Sequence, residues 1–423
     1  MANDDNKKAG LSEAEKAARK EKNAANRARR EANAAARQLK LEQKSARKAD
    51  KSGAKKEKPA KQREKGEKLA SKGREKGKNL LNADKSTNKP VNAASYGSFN
   101  ILIVAQAGRL ENEALLFVES LRSQSPDWKG RLLVAEPLPT ARWEGHHTQI
   151  SDPVRRALEA RGAEIVPFVA RHFGADYPYG NKIEALSVLP PNENFIFFDT
   201  DTLITGPIDR MAINFARPSA SMRREGTWPQ PPLYGPGYDE IWKSLYDRFD
   251  LDFPSSLDLS QPDDHWERYL YFNAGWFFGS DPALFQRRFL DWARAVKDEP
   301  GDELASQSLD PWLDQVVLPL VIHSLGGGRP GDGLDGLDGD VTCHWRNLPL
   351  LYAREGDRVV DVLEAAAAKA DIKEQLSGWE PALRLIYQKH GRNSLRPAID
   401  REHLPAREQM IRGQIRRTGW WLV

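Results

Sequence analysis

The sequence predicts an α/β fold in which helices flank a central, mostly parallel sheet. Between residues 100 and 198, short apolar runs alternate with longer segments whose apolar residues recur at helical spacing. The last of these runs, Phe195–Phe198 (FIFF), shows no polar alternation, which is typical of a strand buried on both faces. Strands that alternate with helices in this way pair in parallel through right-handed crossovers.

The predicted elements of this region follow from their boundary signals. Residues 100–105 (NILIVA) have the pattern of a buried strand, and Pro153 with Gly162 marks the start and the end of a helix. The predicted strands are 100–105, 131–135, 163–169 and 195–198, and the predicted helices are 111–121, 152–161 and 181–189.

Beyond residue 208 the alternation becomes less regular. Residues 217–263 are crowded with Pro, Gly and aromatic residues, which indicates an irregular surface excursion of the kind that often carries recognition. The pattern then predicts a strand at 269–279, helices at 282–296 and 311–324 with a kink at Pro319, a flexible loop at 326–339, a strand region at 341–352 and a charged, mostly helical remainder with a docked Trp420-Trp421.

The first 95 residues differ in composition from the rest of the 423-residue chain. They contain no aromatic residue and hold 28 Lys and Arg against 13 Asp and Glu, a net charge of +15, whereas residues 96–423 carry a net charge of −11. With almost no apolar side chains to bury, this arm is predicted to be disordered or a solvated helix. The charge predicts contact with an anionic surface or a nucleic acid, and a spacer role stays open because no aromatic residue is present for base stacking.

The chain has one cysteine, Cys343, so an intrachain disulfide is excluded. No run of about 18 apolar residues exists, and the N-terminus lacks the apolar core of a signal peptide. These features predict a cytoplasmic protein without a transmembrane segment, located at an anionic membrane surface if the arm binds there.

Two aspartates follow the buried strand at Phe195–Phe198. Asp199 and Asp201 lie where the strand reaches the rim of the sheet, and ligands of open α/β sheets collect outside the carboxyl ends of the strands. Two carboxylates at this spacing suit a hard divalent cation, which would carry a phosphate-bearing substrate. They are also common residues at the end of a strand, where they cap the following turn.

Three motifs occur in a defined order, namely FFDTDTLI at Asp199, YFNAGWFFG at Asn273 and LDQVVL at Asp314. Together, after three βα units, they resemble the motifs of glycosyltransferases with the GT-A fold, most nearly family eight, over residues 99–352. The resemblance implies a Rossmann-like mixed sheet and transfer of a sugar from a nucleoside diphosphate donor, with a UDP-sugar as the expected donor. It divides the chain into an arm at 1–95, a transferase domain at 96–355 and a helical extension at 356–423.

The resemblance also implies roles for individual residues. Asp199 and Asp201 would bind Mn²⁺ or Mg²⁺ together with the donor diphosphate, and Lys182 would reach the donor. Asn273 and Gly275 would face the sugar, although Gly275 is equally consistent with a bulge in a buried strand.

The remaining implied residues lie at the ends of other elements. Asp314 and Gln315 would lie near the reacting carbon, where an acidic residue stabilises an oxocarbenium-like transition state or deprotonates the acceptor. Ala105 and Gln106 would bracket the nucleotide base.

One family feature is missing. The family usually supplies a third metal ligand from a histidine in an H-x-x-G-x-x-K-P-W segment, which this sequence lacks. His344 and His390 are the candidates for that ligand, and either could instead be structural.

Two other classes of function stay open. DTDTL resembles the first motif of haloacid-dehalogenase phosphatases, but Leu203 stands where that motif has Thr or Val, and three βα units precede it. A degenerate transferase fold that only binds, tethered by its basic arm, is the second alternative.

Overall fold

The computed structural model describes residues 98–223 and 226–422. The arm predicted at 1–95 therefore lies outside the described residues. Residues 98–223, 226–231 and 237–422 lie in one compact unit, which is described below. Pro232–Pro236 belong to the other unit and contain no helix or strand.

Among the described residues, eight strands form a six-stranded sheet and a separate two-stranded one. They are β1 Asn100–Val104, β2 Leu132–Pro137, β3 Ala163–Phe168, β4 Phe195–Phe198, β5 Thr202–Ile204, β6 Ser219–Ser221, β7 Asn273–Gly279 and β8 Thr342–His344. The large sheet has the order β3-β2-β1-β4-β7-β6 and the small one pairs β5 with β8. Strands β1 to β4 are parallel neighbours, and β7 and β6 add antiparallel pairs, so the prediction of a mixed sheet is confirmed.

Helices cover both faces of the sheet. They are α1 Arg109–Gln124, α2 Asp152–Ala160, α3 Asn181–Glu184, α4 Tyr238–Arg248, α5 Phe253–Ser256, α6 Pro282–Asp298, α7 Leu313–Ser324, α8 Leu348–Arg354, α9 Asp357–Ala367, α10 Ala370–Leu376, α11 Glu380–Ala382 and α12 Glu408–Arg417. None of the described helices is long and apolar enough to cross a membrane.

Alternate side chains of the sheet build two separate cores. Ile101 and Ile103 of β1 point into the core that α1 and the C-terminal helices share, whereas Leu102 and Val104 point into the core with α6 and α7. This arrangement explains why the strands have continuous apolar sequences, because both faces are covered.

The segment predicted as a strand at 341–352 is a strand only at Thr342–His344 and becomes helical from Leu348, so that prediction is wrong beyond His344. Asn347 caps the start of α8, because its side-chain Oδ1 accepts a hydrogen bond from the backbone N–H of Leu350 at 3.0 Å, and Pro349 lies in the first turn of that helix. Other predictions differ in part. The strand predicted at 269–279 begins at Asn273, the helix predicted at 181–189 is α-helical only at Asn181–Glu184, and the loop predicted at 326–339 contains a short 3₁₀ helix at Asp332–Asp338.

The C-terminal segment packs into the same core as α1. Side chains of α9 to α12, including Leu363 and Ile415, belong to that core. The terminal tryptophans are docked, with Arg416 lying 4.6 Å from the centre of the Trp421 ring and Arg384 lying 4.9 Å from that of Trp420. A domain boundary at 355/356 stays a prediction.

Candidate metal and donor site at the end of strand β4

Backbone pairing holds the two aspartates beyond the end of β4. The N–H of Asp199 donates to the carbonyl of Gly275 at 2.9 Å, which extends the β4–β7 pairing by one residue. The carbonyl of Asp201 accepts a hydrogen bond from the N–H of Trp345 at 2.8 Å. Both carboxylates therefore stand on a backbone that is fixed from two sides.

The pairing of β5 with β8 brings a histidine beside them. Thr202 lies opposite His344 in this antiparallel pair. Asp201, which precedes Thr202, therefore lies beside the imidazole. His344 Nε2 lies 3.0 Å from Asp201 Oδ1 and 4.0 Å from Asp199 Oδ2. Of the two histidines proposed from the sequence, the structure places His344 at the aspartates.

Asp199, Asp201 and His344 fit a divalent metal ion. One ligand atom from each of them lies within 4.8 Å of the others, and among the described residues they form the only such group of three. Two carboxylates with one imidazole are a donor set that accepts Mn²⁺ or Mg²⁺, because carboxylate oxygens suit both ions. Asp199 is the most exposed of the three, with a quarter of its side chain accessible, so the group is open to a ligand on that side.

The electrostatic surroundings of the two carboxylates differ. Burial and the neighbouring Asp201 raise the pKa of Asp199, although Lys182 opposes that change. Burial would also raise the pKa of Asp201, but the nearby His344 and Arg109 hold that pKa well below its usual range. Asp201 is thus ionised and available as a ligand.

Lys182 of α3 links the metal trio, which consists of Asp199, Asp201 and His344, to α7. Its Nζ lies 2.9 Å from Asp199 Oδ1 and 3.2 Å from Asp314 Oδ2, and it donates to the carbonyl of Ala274 at 3.3 Å. Burial would lower the pKa of Lys182, but the two carboxylates raise it, so the side chain stays charged. The structure therefore brings three of the predicted site residues together in one ion-paired group.

Both oxygens of Asp314 are occupied. Oδ2 faces Lys182, and Oδ1 accepts a hydrogen bond from the Tyr177 hydroxyl at 2.8 Å, which in turn accepts one from the Asp314 N–H at 3.0 Å. Only 2% of the Asp314 side chain is exposed. Its neighbour Gln315 is more accessible, and its Oε1 accepts a hydrogen bond from the Tyr271 hydroxyl at 2.8 Å.

Asn273 and Gly275 at the start of β7 contact each other and His344. The N–H of Gly275 donates to Asn273 Oδ1 at 2.8 Å. A Cβ atom at Gly275 would lie only 2.2 Å from His344 Nδ1, so the missing side chain leaves the space that the imidazole occupies. This packing gives a reason for glycine that the sequence did not indicate.

We expect Gly275→Ala to weaken Mn²⁺ binding at least tenfold, because the new methyl group must displace His344 from the two aspartates. Titration calorimetry measures this change. Gly328→Ala is the matched control, since a Cβ there has open space around it. An unchanged Mn²⁺ affinity in Gly275→Ala would show that His344 is not a ligand.

The residues predicted to bracket the base lie at the end of β1. Ala105 is fully buried, and its N–H donates to the carbonyl of Ala135 at 3.0 Å. Gln106 is partly exposed and donates from Nε2 to the carbonyl of His147 at 3.2 Å. Donor binding by these two residues stays a prediction.

Two further charged residues at the site were missed from the sequence. Arg109, the first residue of α1, lies 3.7 Å from Asp201 Oδ2 through Nη2 and 3.1 Å from Glu113 Oε1 through Nε. Burial, and secondly the negative charge of Asp201, raise the pKa of Glu113 well above its usual range. Their i, i+4 spacing in the helix after the first strand was a visible signal, since such pairs lie on one helix face.

Two other features lie apart from the trio. His390, the second histidine candidate, packs its ring against Trp420 with the ring centres 4.5 Å apart. A cavity of about 520 Å³ opens beside β3 and α6, where Phe168 and Leu290 are among its lining residues, and none of the predicted site residues lines it.

Comparison with known proteins decides the family. The family model described as the Rhodobacterales glycosyltransferase domain matches residues 101–326, which is more than half of the chain. The chain belongs to this glycosyltransferase family. The matched range includes β1 to β7 and α7, and hence both aspartates, Lys182 and Gln315, but not His344.

Solved structures of other glycosyltransferases are similar to this one at low identity. A galactosyltransferase LgtC in complex with donor and acceptor sugar analogs is 14% identical over 55% of this chain and 73% of that chain, with a TM-score of 0.34. The bifunctional WbbM is 11% identical over 70% of this chain and 54% of that one (TM-score 0.39), and GlyE of Streptococcus pneumoniae is 10% identical over 68% and 65% (TM-score 0.36). No curated protein matches the sequence of this glycosyltransferase.

Proposed function

We propose that this glycosyltransferase moves a sugar from a nucleoside diphosphate donor, with a UDP-sugar as the expected donor, in a reaction that depends on Mn²⁺ or Mg²⁺. The observation that carries the proposal is the group of Asp199, Asp201 and His344, whose ligand atoms lie within 4.8 Å of one another at the end of β4. When bound there, the ion would neutralise the charge that develops on the departing diphosphate.

Two cationic side chains beside the trio support an anionic ligand. Lys182 Nζ lies 2.9 Å from Asp199 Oδ1, and Arg109 Nη2 lies 3.7 Å from Asp201 Oδ2. A divalent ion bound by the trio would add two positive charges beside these side chains, which complements a diphosphate.

The contacts support different roles for the two residues at the start of α7. Both oxygens of Asp314 are engaged by Lys182 and Tyr177. Asp314 would therefore act indirectly, by holding Lys182 beside Asp199. The amide of Gln315 is oriented by the hydrogen bond that its Oε1 accepts from the Tyr271 hydroxyl, and the side chain is partly exposed. Gln315 is therefore the group that would lie against the donor sugar. Asn273 and the half-exposed Arg109 would complete the donor site.

The experiment that tests the proposal screens nucleotide sugars for Mn²⁺-dependent thermal stabilisation. The cognate donor at about 100 times its Kd should stabilise the fold by about 2.7 kcal/mol, seen as a raised Tm that disappears with EDTA. Sugars linked to other nucleotides serve as controls for the base. Equal stabilisation with and without metal would contradict the proposed metal dependence.

The proposal also includes an acceptor molecule and a contact of the basic arm. The acceptor is a carbohydrate, lipid or protein that the site does not identify. Contact of residues 1–95 with an anionic membrane surface or a nucleic acid rests only on their charge of +15, and these residues lie outside the described part of the chain. Neither a phosphohydrolase nor a purely binding function is favoured by any contact at the site.

A further inference from the structure

Glu408, the first residue of α12, is a buried carboxylate that contacts three arginines. Only 8% of its side chain is exposed. Its Oε2 lies 2.7 Å from Arg354 Nη1 and 3.4 Å from Arg346 Nε, and its Oε1 lies 2.6 Å from Arg412 Nη2. The last of these pairs lies within α12, whereas the other two cross to the segment that follows β8.

Two of these arginines reach the back of the metal trio. Arg354 Nη2 donates a hydrogen bond to the carbonyl of His344 at 3.3 Å. Arg346 lies two residues after His344, its N–H faces the carbonyl of Asp201 at 3.5 Å, and its own carbonyl accepts a hydrogen bond from Arg109 at 3.5 Å. Glu408 thus contacts the groups that border both Asp201 and His344.

The backbone at Arg346 shows that this segment must be held in place. Its φ of +68° lies in the left-handed region, which costs free energy for a residue with a side chain and persists only where the surroundings enforce it. The surroundings include the Trp345 N–H bonded to Asp201, the Arg346 Nη2 that donates to the carbonyl of Arg223 at 3.2 Å, and the Arg346 side chain facing Glu408. Loss of the carboxylate would remove one of these restraints.

We propose that Glu408 is a positioning residue of the metal site, through which the C-terminal helix fixes Arg346 and Arg354 and so aligns Asp201 with His344. The inference rests on the proposed function because it concerns the same metal trio. Without this carboxylate, Arg346 and Arg354 lose a shared partner, and the segment that carries His344 loses a restraint. The family match ends at residue 326, so the match itself assigns nothing to Glu408.

The first test compares Glu408→Gln with the parent protein by Mn²⁺ titration calorimetry well below the Tm. We expect the Kd for Mn²⁺ to rise at least tenfold, as is usual when a residue behind a metal ligand is changed. Glu402→Gln is the matched control, since Glu402 is exposed in the loop before α12 and should leave the Kd unchanged. A lower Tm with an unchanged Kd would overturn the proposal, because it would show a structural role alone.

The second test asks whether the effect runs through Arg346. In a double-mutant cycle, Arg346→Gln and Glu408→Gln should weaken Mn²⁺ binding by much less together than the product of their separate effects, because they remove the same contact. If the two substitutions weaken Mn²⁺ binding by the product of their separate effects, Glu408 does not act through Arg346. If Glu408→Gln does not fold, Glu408→Asp replaces it, since it keeps the charge but withdraws the carboxylate, and an unchanged Kd there overturns the proposal.

Hydrogen exchange in the metal-free protein separates this inference from the proposed function. We expect faster amide exchange at Trp345 and Arg346 in Glu408→Gln than in the parent protein, since the segment loses a restraint. If the parent protein binds no Mn²⁺, the proposed function fails, while the exchange result still decides whether Glu408 holds the segment. Unchanged exchange overturns the positioning role.

Discussion

Asp201→Asn is expected to lower the Mn²⁺-dependent rate of nucleotide sugar hydrolysis about a thousandfold, which corresponds to about 4 kcal/mol of lost transition-state stabilisation. The substitution keeps the size of the side chain but removes the charged oxygen that lies 3.0 Å from His344 Nε2. Since His344, Arg109 and Arg346 hold the pKa of Asp201 below its usual range against the effect of burial, the ionised carboxylate is the species that is lost. Initial rates of sugar release, measured across a Mn²⁺ titration, give the change.

The control for this variant is Asp127→Asn, because Asp127 is exposed and lies far along the chain from the trio. Circular dichroism and the Tm should show that Asp201→Asn remains folded. A variant that keeps the parent rate and the parent response to Mn²⁺ would remove Asp201 from the proposed metal site.

Lys182→Met should reduce the free energy of unfolding by about 3–5 kcal/mol, because it leaves the carboxylates of Asp199 and Asp314 without their shared cation. The loss lies towards the lower end of that range, since Asp199 is partly exposed and water can solvate it. The unpaired carboxylate of Asp314 accounts for the larger part of the lost stability, because its side chain is almost fully buried. Urea denaturation of the metal-free protein measures the difference.

Two further variants make this stability prediction specific. Asp314→Asn introduced into Lys182→Met should restore part of the lost stability, because the buried carboxylate is then gone as well. Lys243→Met, which breaks an exposed pair with Asp247 on α4, should change the stability by less than about 1 kcal/mol. A loss of similar size in Lys182→Met and Lys243→Met would contradict the assignment of a buried bridge.

Local sequence signals were sufficient for the parallel part of the sheet and for one half of the site. The unbroken apolar run of β4 predicts burial on both faces, and the two aspartates that follow it are then expected at the rim of the sheet. The alternation of strands and helices likewise predicts the parallel part of the sheet. Where the signals of a helix start were overlooked, as at Asn347 and Pro349, the second half of the predicted strand proved to be a helix.

The sequence by itself thus determined the fold class and the position of the two aspartates, because burial and capping act over a few neighbouring residues. Only the tertiary structure decided that His344, rather than His390, joins them, since that choice depends on the pairing of β5 with β8 across a long stretch of chain. It also decided why residue 275 is a glycine and which carboxylate lies behind Arg346. Packing brings such partners together, and no local pattern records which distant residue will fill the space beside a given side chain.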